Sequence, residues 1–101
     1  GDSLTIDEGY DAARLVGLNL LSTLKTAIYD LDRINQIVKV LGMVNSTPDF
    51  NQHPQVINGF SELMTNLYGD KGRHARSAVG LVNLPFDIPV EIEMIVEIAV
   101  T

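Results

Sequence analysis

The sequence predicts an α+β fold in which two helices pack on one face of a mixed β-sheet. Three observations carry this. Two long segments repeat apolar residues at steps of three and four. Three other segments are rich in β-branched residues or alternate apolar with polar. Their order along the chain is helix, strand, helix, strand, strand, which a preceding strand would complete as a split βαβ arrangement.

The first helix begins at a capping box, Thr5-Ile6-Asp7-Glu8, with Thr5 as N-cap and Glu8 three residues on. Tyr10, Ala13, Gly17, Leu20, Leu24, Ala27 and Leu31 then recur at helical steps, and Val16, Leu21 and Ile28 widen the stripe. Such a broad face suits packing on a sheet better than a coiled-coil seam. Asp30-Leu31-Asp32 ends the helix.

Residues 34–44 read as a strand, with Ile34, Ile37, Val38, Val40 and Val44 supplying β-branched bulk. Residues 45–53 are rich in turn formers. Pro54 suits the first turn of a helix, where its missing N–H would be unpaired anyway. Val56, Ile57, Phe60, Leu63, Met64, Leu67 and Tyr68 repeat at helical spacing, and Gly69 is the expected C-cap. After a polar turn over 70–74, residues 75–82 and 90–100 form the last two strands. The final strand alternates Val90, Ile92, Met94, Val96 and Ile98 with Glu91, Glu93 and Glu97. Its two faces differ, one wanting a core and the other acidic. Gly17, Gly42 and Gly59 fall inside regular elements and read as close-packing positions.

A chain of 101 residues makes one domain, residues 1–101, and buries roughly 60–70% of its unfolded surface, enough for one core. No cysteine is present, so a disulfide scaffold or thiolate metal site is excluded. His53 and His74 stand singly in expected loops without a metal-ligand cluster. No apolar run approaches the ~18–20 residues of a membrane span, and no signal peptide is legible. The expected location is the cytoplasm. The net charge of −6 speaks against a nucleic-acid surface, which needs a basic face.

Arg76 opens an apolar strand. Burying its charge is costly unless it meets an anion, either a structural carboxylate or a carboxylate ligand. Glu91 and Glu93 share one strand face, roughly 7 Å apart at ~3.4 Å per residue. They could position a water or simply be solvated charges. Two helices on one sheet face leave the other bare and half apolar, a surface that asks for a partner.

The run R-S-A-V-G-L-V-N-L-P-F-D-I-P-V-E-I-E-M-I-V resembles the closing signature of the RidA family, also called YjgF or "endoribonuclease L-PSP". The segments D-E-G-Y-D-A-A-R-L-V-G-L-N-L-L, L-D-R-I-N-Q-I-V-K-V-L-G-M-V-N-S and Q-V-I-N-G-F-S-E-L-M follow in the family's order. The resemblance implies a chorismate-mutase-like sheet and a homotrimer. It also implies N-terminal strands, one with a pocket aromatic, that this sequence, starting Gly1-Asp2-Ser3, does not contain.

By resemblance, Arg76 holds a substrate carboxylate, Asn58 faces the pocket, and Glu91 is the catalytic pocket residue. The implied reaction is hydrolytic deamination of enamines and imines such as 2-aminoacrylate, with no cofactor and no metal. Many such proteins carry a cysteine where this chain has Ala78, which removes thiol chemistry but not hydrolysis by water. The rival reading is a non-catalytic trimer binding small carboxylates or partner proteins. RNA cleavage, without a basic face or a histidine pair, comes last.

If the last two strands pair as a hairpin around residues 83–89, Arg76 lies opposite Val96. It is then roughly 15 Å from Glu91, at ~3.4 Å per residue. The expected site therefore lies between subunits, with the Leu84-Pro85 turn reaching toward the neighbour.

Overall fold

A computed structural model describes residues 5–100. The elements are α1 (Ile6–Ile28), β1 (Ile34–Asn45), α2 (His53–Tyr68), β2 (Ala75–Leu81) and β3 (Val90–Ile98). Short 3-10 turns occupy Leu31–Arg33, Gly69–Gly72 and Pro85–Asp87. Two helices lie against one mixed three-stranded sheet, the α+β arrangement that the sequence patterns predict.

The capping box forms. Thr5 Oγ1 accepts from the Glu8 N–H at 3.1 Å, and Glu8 Oε1 accepts from the Thr5 N–H at 3.0 Å. The backbone bond first, then the hydroxyl, hold the Glu8 carboxyl below its ordinary range. At the other end Tyr29 takes a left-handed conformation (φ 70°) and its N–H closes on Lys25 O. Arg33 donates to Ile28 O at 2.9 Å and to Ala99 O at 3.0 Å, tying the end of α1 to the end of β3.

The buried stripe of α1 is Gly9, Ala13, Gly17 and Leu21, spaced by four, with Ile28 beyond. This is rotated from the expected stripe: Leu20 and Leu24 are only partly buried and Ala27 is exposed. The reason is α2, which approaches so closely that small residues must face it. A Cβ on Gly17 would meet Leu63 at 2.9 Å, and one on Gly59 would stand 2.0 Å from the Tyr10 carbonyl oxygen. A row at i, i+4, i+8 meeting another helix is ridge-into-groove packing.

Tyr10 also donates its hydroxyl to Glu62 Oε2, bridging α1 and α2. That bond first, and partial desolvation second, push the Tyr10 phenol above its ordinary value. The folded chain therefore holds this proton more tightly than the unfolded chain. The resulting stability is full below the ordinary tyrosine value of about 10 and is lost as pH rises through the raised one. Urea unfolding measured across this alkaline range should show that loss. Glu62→Gln should flatten it, and an unchanged profile in Glu62→Gln would remove the Tyr10–Glu62 bond as its cause.

The strand order is β2-β1-β3, with β1 parallel to β2 and antiparallel to β3. This corrects the hairpin expectation: β2 and β3 do not pair, and Arg76 lies beside Val40 rather than Val96. Between β1 and β2 the chain makes a helical crossover, the connection that parallel neighbours need. β3 then takes the other edge of β1.

In β1 the buried residues Ile34, Ile37 and Val40 are spaced by three, a period no regular strand has. Two irregularities in pairing with β3 explain it. Ile34–Gln36 opposes a single step from Ile98 to Glu97, and Ile37–Lys39 a single step from Val96 to Ile95. Asn35 and Val38 are thus the extra residues of β-bulges, each returning the next isoleucine or valine to the helix side. The core joins this face to both helices through Ile37, Val40, Ile57, Phe60 and Met64, all fully buried. Gly42 is where α2 touches the sheet: a Cβ there would lie 2.6 Å from Ile57.

Pairing register assigns the faces. Arg76, Ala78 and Gly80 align with Val40, Gly42 and Val44 and face the helices. Leu41, Met43, Val79, Leu81, Glu91, Glu93 and Ile95 fall on the opposite, uncovered face. Ile95 is 60% exposed there, and Val79 and Leu81 are each 40% exposed.

Candidate functional site

Arg76 sits at the second position of β2, an edge strand, and crosses to α2. Its Nη1 donates to Asn58 Oδ1 at 2.8 Å and to Ser61 Oγ at 3.1 Å. Asn58 and Ser61 are three residues apart, so both present to the same side of the helix. Among the described residues the ion pair found is Arg73–Asp70, at 3.6 Å on the surface, and no carboxylate pairs with Arg76. Its Nε and Nη2 make no hydrogen bond to a described residue. Of the two anions the sequence left open, the structural carboxylate is therefore absent within the described chain.

These side chains line an open cleft of about 360 Å³ with Thr65, Arg73 and His74. His74 was expected as a lone loop residue. The structure instead gives it three fixed contacts: Nε2 lies 2.9 Å from Ser61 Oγ, Nδ1 lies 2.6 Å from Gly72 O, and its ring meets Phe60 edge-on at 6.0 Å. A signal for it existed. His74 immediately precedes β2 and is two residues from Arg76, and Asn58, Ser61 and Thr65 form a polar stripe at helical spacing.

His74 does lie in the expected loop before β2, whereas His53 does not lie in one. It opens α2, and its Nε2 lies 3.2 Å from Ser46 Oγ. The glycine at position 80 leaves room for this ring, since a Cβ there would stand 2.3 Å from His53 Nε2.

Glu91 does not join Arg76. It aligns with Met43, on the uncovered face, while Arg76 aligns with Val40 on the helix face. Two strand spacings of ~4.8 Å and three residues at ~3.3 Å each put their Cα atoms roughly 14 Å apart, on opposite sides of the sheet. The expected separation within one chain holds, although the hairpin that suggested it does not form.

The loop after β2 is anchored by buried Leu84 and by Asn45, whose Nδ2 donates to Asp87 Oδ1 at 2.9 Å and to Ile88 O at 3.1 Å. Phe86, at its tip, is fully exposed with φ 58°. Among the described residues no cluster of three or more His, Asp or Glu side chains could hold a metal ion. No described helix is long and apolar enough to cross a membrane.

Comparison with known proteins places this geometry. Residues 1–97 match the family described as "YjgF/chorismate mutase-like, putative endoribonuclease". The chain is 44% identical over 99 residues to Protein TCP17 of Trypanosoma cruzi, covering 97% of this chain and 62% of that protein. Among solved structures it superposes on the protein Atu1372 of Agrobacterium tumefaciens, of unknown function, with TM-score 0.94 and 43% identity. That match covers 96% of this chain and 62% of the other. A second structure, called a putative endoribonuclease and from Shewanella oneidensis, matches with TM-score 0.91 and 33% identity over 97% of this chain and 65% of that one. The chain thus spans less than two thirds of the length of these relatives.

Proposed function

Because this chain belongs to the YjgF/chorismate mutase-like family, we propose that its Arg76 cleft hydrolyses small reactive enamines and imines of the 2-aminoacrylate type. The products are 2-keto acids and ammonium. One observation carries the reading: a half-buried guanidinium faces an open cleft, steadied by Asn58 and Ser61 through a single nitrogen. That leaves the Nε–Nη2 edge for a carboxylate, the geometry in which arginine binds such groups in pairs of hydrogen bonds.

With the carboxylate held there, the C=N carbon is already electrophilic and needs only a positioned water. Glu91 would orient that water from a neighbouring copy, since within one chain it lies across the sheet. The uncovered face with Ile95, Val79 and Leu81, and the exposed Phe86, support a homotrimer that brings the two together.

A non-catalytic carboxylate-binding trimer is the rival. The relatives' naming favours a third reading, RNA cleavage. Against it stand the net charge of −6 and the separation of the two histidines. His53 packs beside Gly80 and His74 lies six residues before it, about 20 Å away at ~3.3 Å per residue.

The test is keto-acid release from 2-aminoacrylate generated in situ. Arg76→Ala should lower kcat/KM by at least ~30-fold, the equivalent of about 2 kcal/mol of charge-assisted hydrogen bonding. Glu91→Gln should lose turnover and keep ligand affinity. Equal keto-acid release by wild type and Arg76→Ala would sink the proposal, and binding without any turnover would establish the rival.

A further inference from the structure

We infer that Ser61 is a nucleophile activated by His74, so that the same cleft hydrolyses esters carrying a free carboxylate through an acyl-serine. This does not depend on the deaminase reading. A nucleophile within hydrogen-bond reach of a base, with the base oriented by a third group, is the geometry of covalent hydrolysis.

The hydrogen bonds fix the roles. A carbonyl oxygen can only accept, so the 2.6 Å contact to Gly72 O places the hydrogen on His74 Nδ1. In the neutral ring Nε2 is then the acceptor, and the Ser61 hydroxyl donates to it across 2.9 Å. The orienting carbonyl is itself held in place. Gly72 is buried, and a Cβ on it would stand 2.1 Å from Met64 O, so the 3-10 turn cannot drift toward α2. Phe60 closes one side of the imidazole.

Arg76 Nη1 donates to Ser61 Oγ at 3.1 Å. A cation on that oxygen favours the charge that develops when its proton leaves. Arginine can only donate, so the Asn58 atom 2.8 Å from Nη1 is the amide oxygen. The Asn58 Nδ2 hydrogens are consequently turned elsewhere, and no described residue takes them. They are available as oxyanion donors, the role a side-chain amide fills in acyl transfer.

In the first step Ser61 Oγ bonds to the ester carbonyl carbon and its proton passes to His74 Nε2. The carbonyl pair moves to oxygen, facing Asn58 Nδ2. As the pair returns, the bond to the alkoxy oxygen breaks, and that oxygen takes the proton from His74. Water then attacks the acyl-serine, giving its proton to His74 Nε2. The Oγ–carbon bond breaks, and Oγ regains the proton. One ester and one water become one acid and one alcohol. The uncommitted edge of Arg76 selects esters that carry a free carboxylate.

The test uses wild-type protein and a fluorophosphonate probe, with peptide mapping by mass spectrometry. The expected result is one phosphonylated residue, Ser61. In parallel, hydrolysis of p-nitrophenyl hemisuccinate is compared with that of p-nitrophenyl acetate. Hemisuccinate should be preferred, and Arg76→Gln should erase the preference. Ser61→Ala should abolish hydrolysis, and His74→Gln should lower kcat/KM by ~10²-fold or more. Thermal melts establish that the variants are folded. A wild-type protein left unlabelled at Ser61, or ester hydrolysis that survives in Ser61→Ala, overturns the inference.

Discussion

Phe60→Ala should destabilise the fold by about 4 kcal/mol, the range for emptying a fully buried aromatic site. Phe60 has no exposed surface, lies under Gly17 of α1, and meets the edge of the His74 ring. Truncation therefore opens a cavity where α1, α2 and the turn before β2 converge. A domain of this size has total stability on the order of 5–15 kcal/mol, so the loss is a large fraction of it. Urea titration should register a midpoint shift with little change in slope. Phe60→Leu keeps most of the volume and should cost less than about 1.5 kcal/mol. The His74 ring signal in an NMR spectrum should move in both variants, because both remove the aromatic neighbour. A loss under 1 kcal/mol in Phe60→Ala would mean that the helices collapse into the space.

Gly59→Ala, one residue earlier, should fail for the opposite reason. Its Cβ would enter within 2.0 Å of Tyr10 O, 2.9 Å of Tyr10 C and 3.2 Å of Arg14 N. These are backbone atoms of α1, which no side-chain rotation can move. The helices must separate, uncoupling Ala13 and Gly17 from α2. Replacing glycine by alanine within a helix contributes about 1 kcal/mol in the other direction. Overpacking of this kind typically costs 1–3 kcal/mol, and contact with backbone lies at or above its upper end. The expected net loss is about 2 kcal/mol or more, a fall in Tm of about 8–16 °C for a domain of about 100 residues. Gly69→Ala is the informative contrast. Nothing lies within 4 Å of its Cβ, and only its φ of +59° opposes the change. A Tm for Gly59→Ala equal to that of wild type would show that α1 is free to move outward.

Much of the architecture was legible in the chain, because it is set by local periodicity. The Thr5–Glu8 capping box and the glycine at the end of α2 satisfy backbone groups within a few residues of themselves, and the proline at its start removes an N–H that would have no partner. The alternation of β3 fixed its two faces, with Val90 and Ile92 buried and Glu93 and Glu97 exposed. Arg76 and Asn58 were nominated by resemblance, and they do lie together, hydrogen-bonded across α2 and β2.

What the sequence determined by itself is the type and order of the elements and the residues that bear charge. Which strands pair was decided only by tertiary structure. Hydrogen bonding between strands is blind to sequence distance, and β1, the most buried strand, took a neighbour on each edge. The bulges at Asn35 and Val38 were hidden for the same reason, since an unpaired residue is defined only by its partner strand. So was the grouping of Ser61 and His74, thirteen residues apart and separated by a turn, which becomes a contact when β2 is laid beside β1 under α2. The opposite placement of Arg76 and Glu91 is likewise a consequence of register, because two residues on different strands share a face only if their pairing to the strand between them agrees in parity.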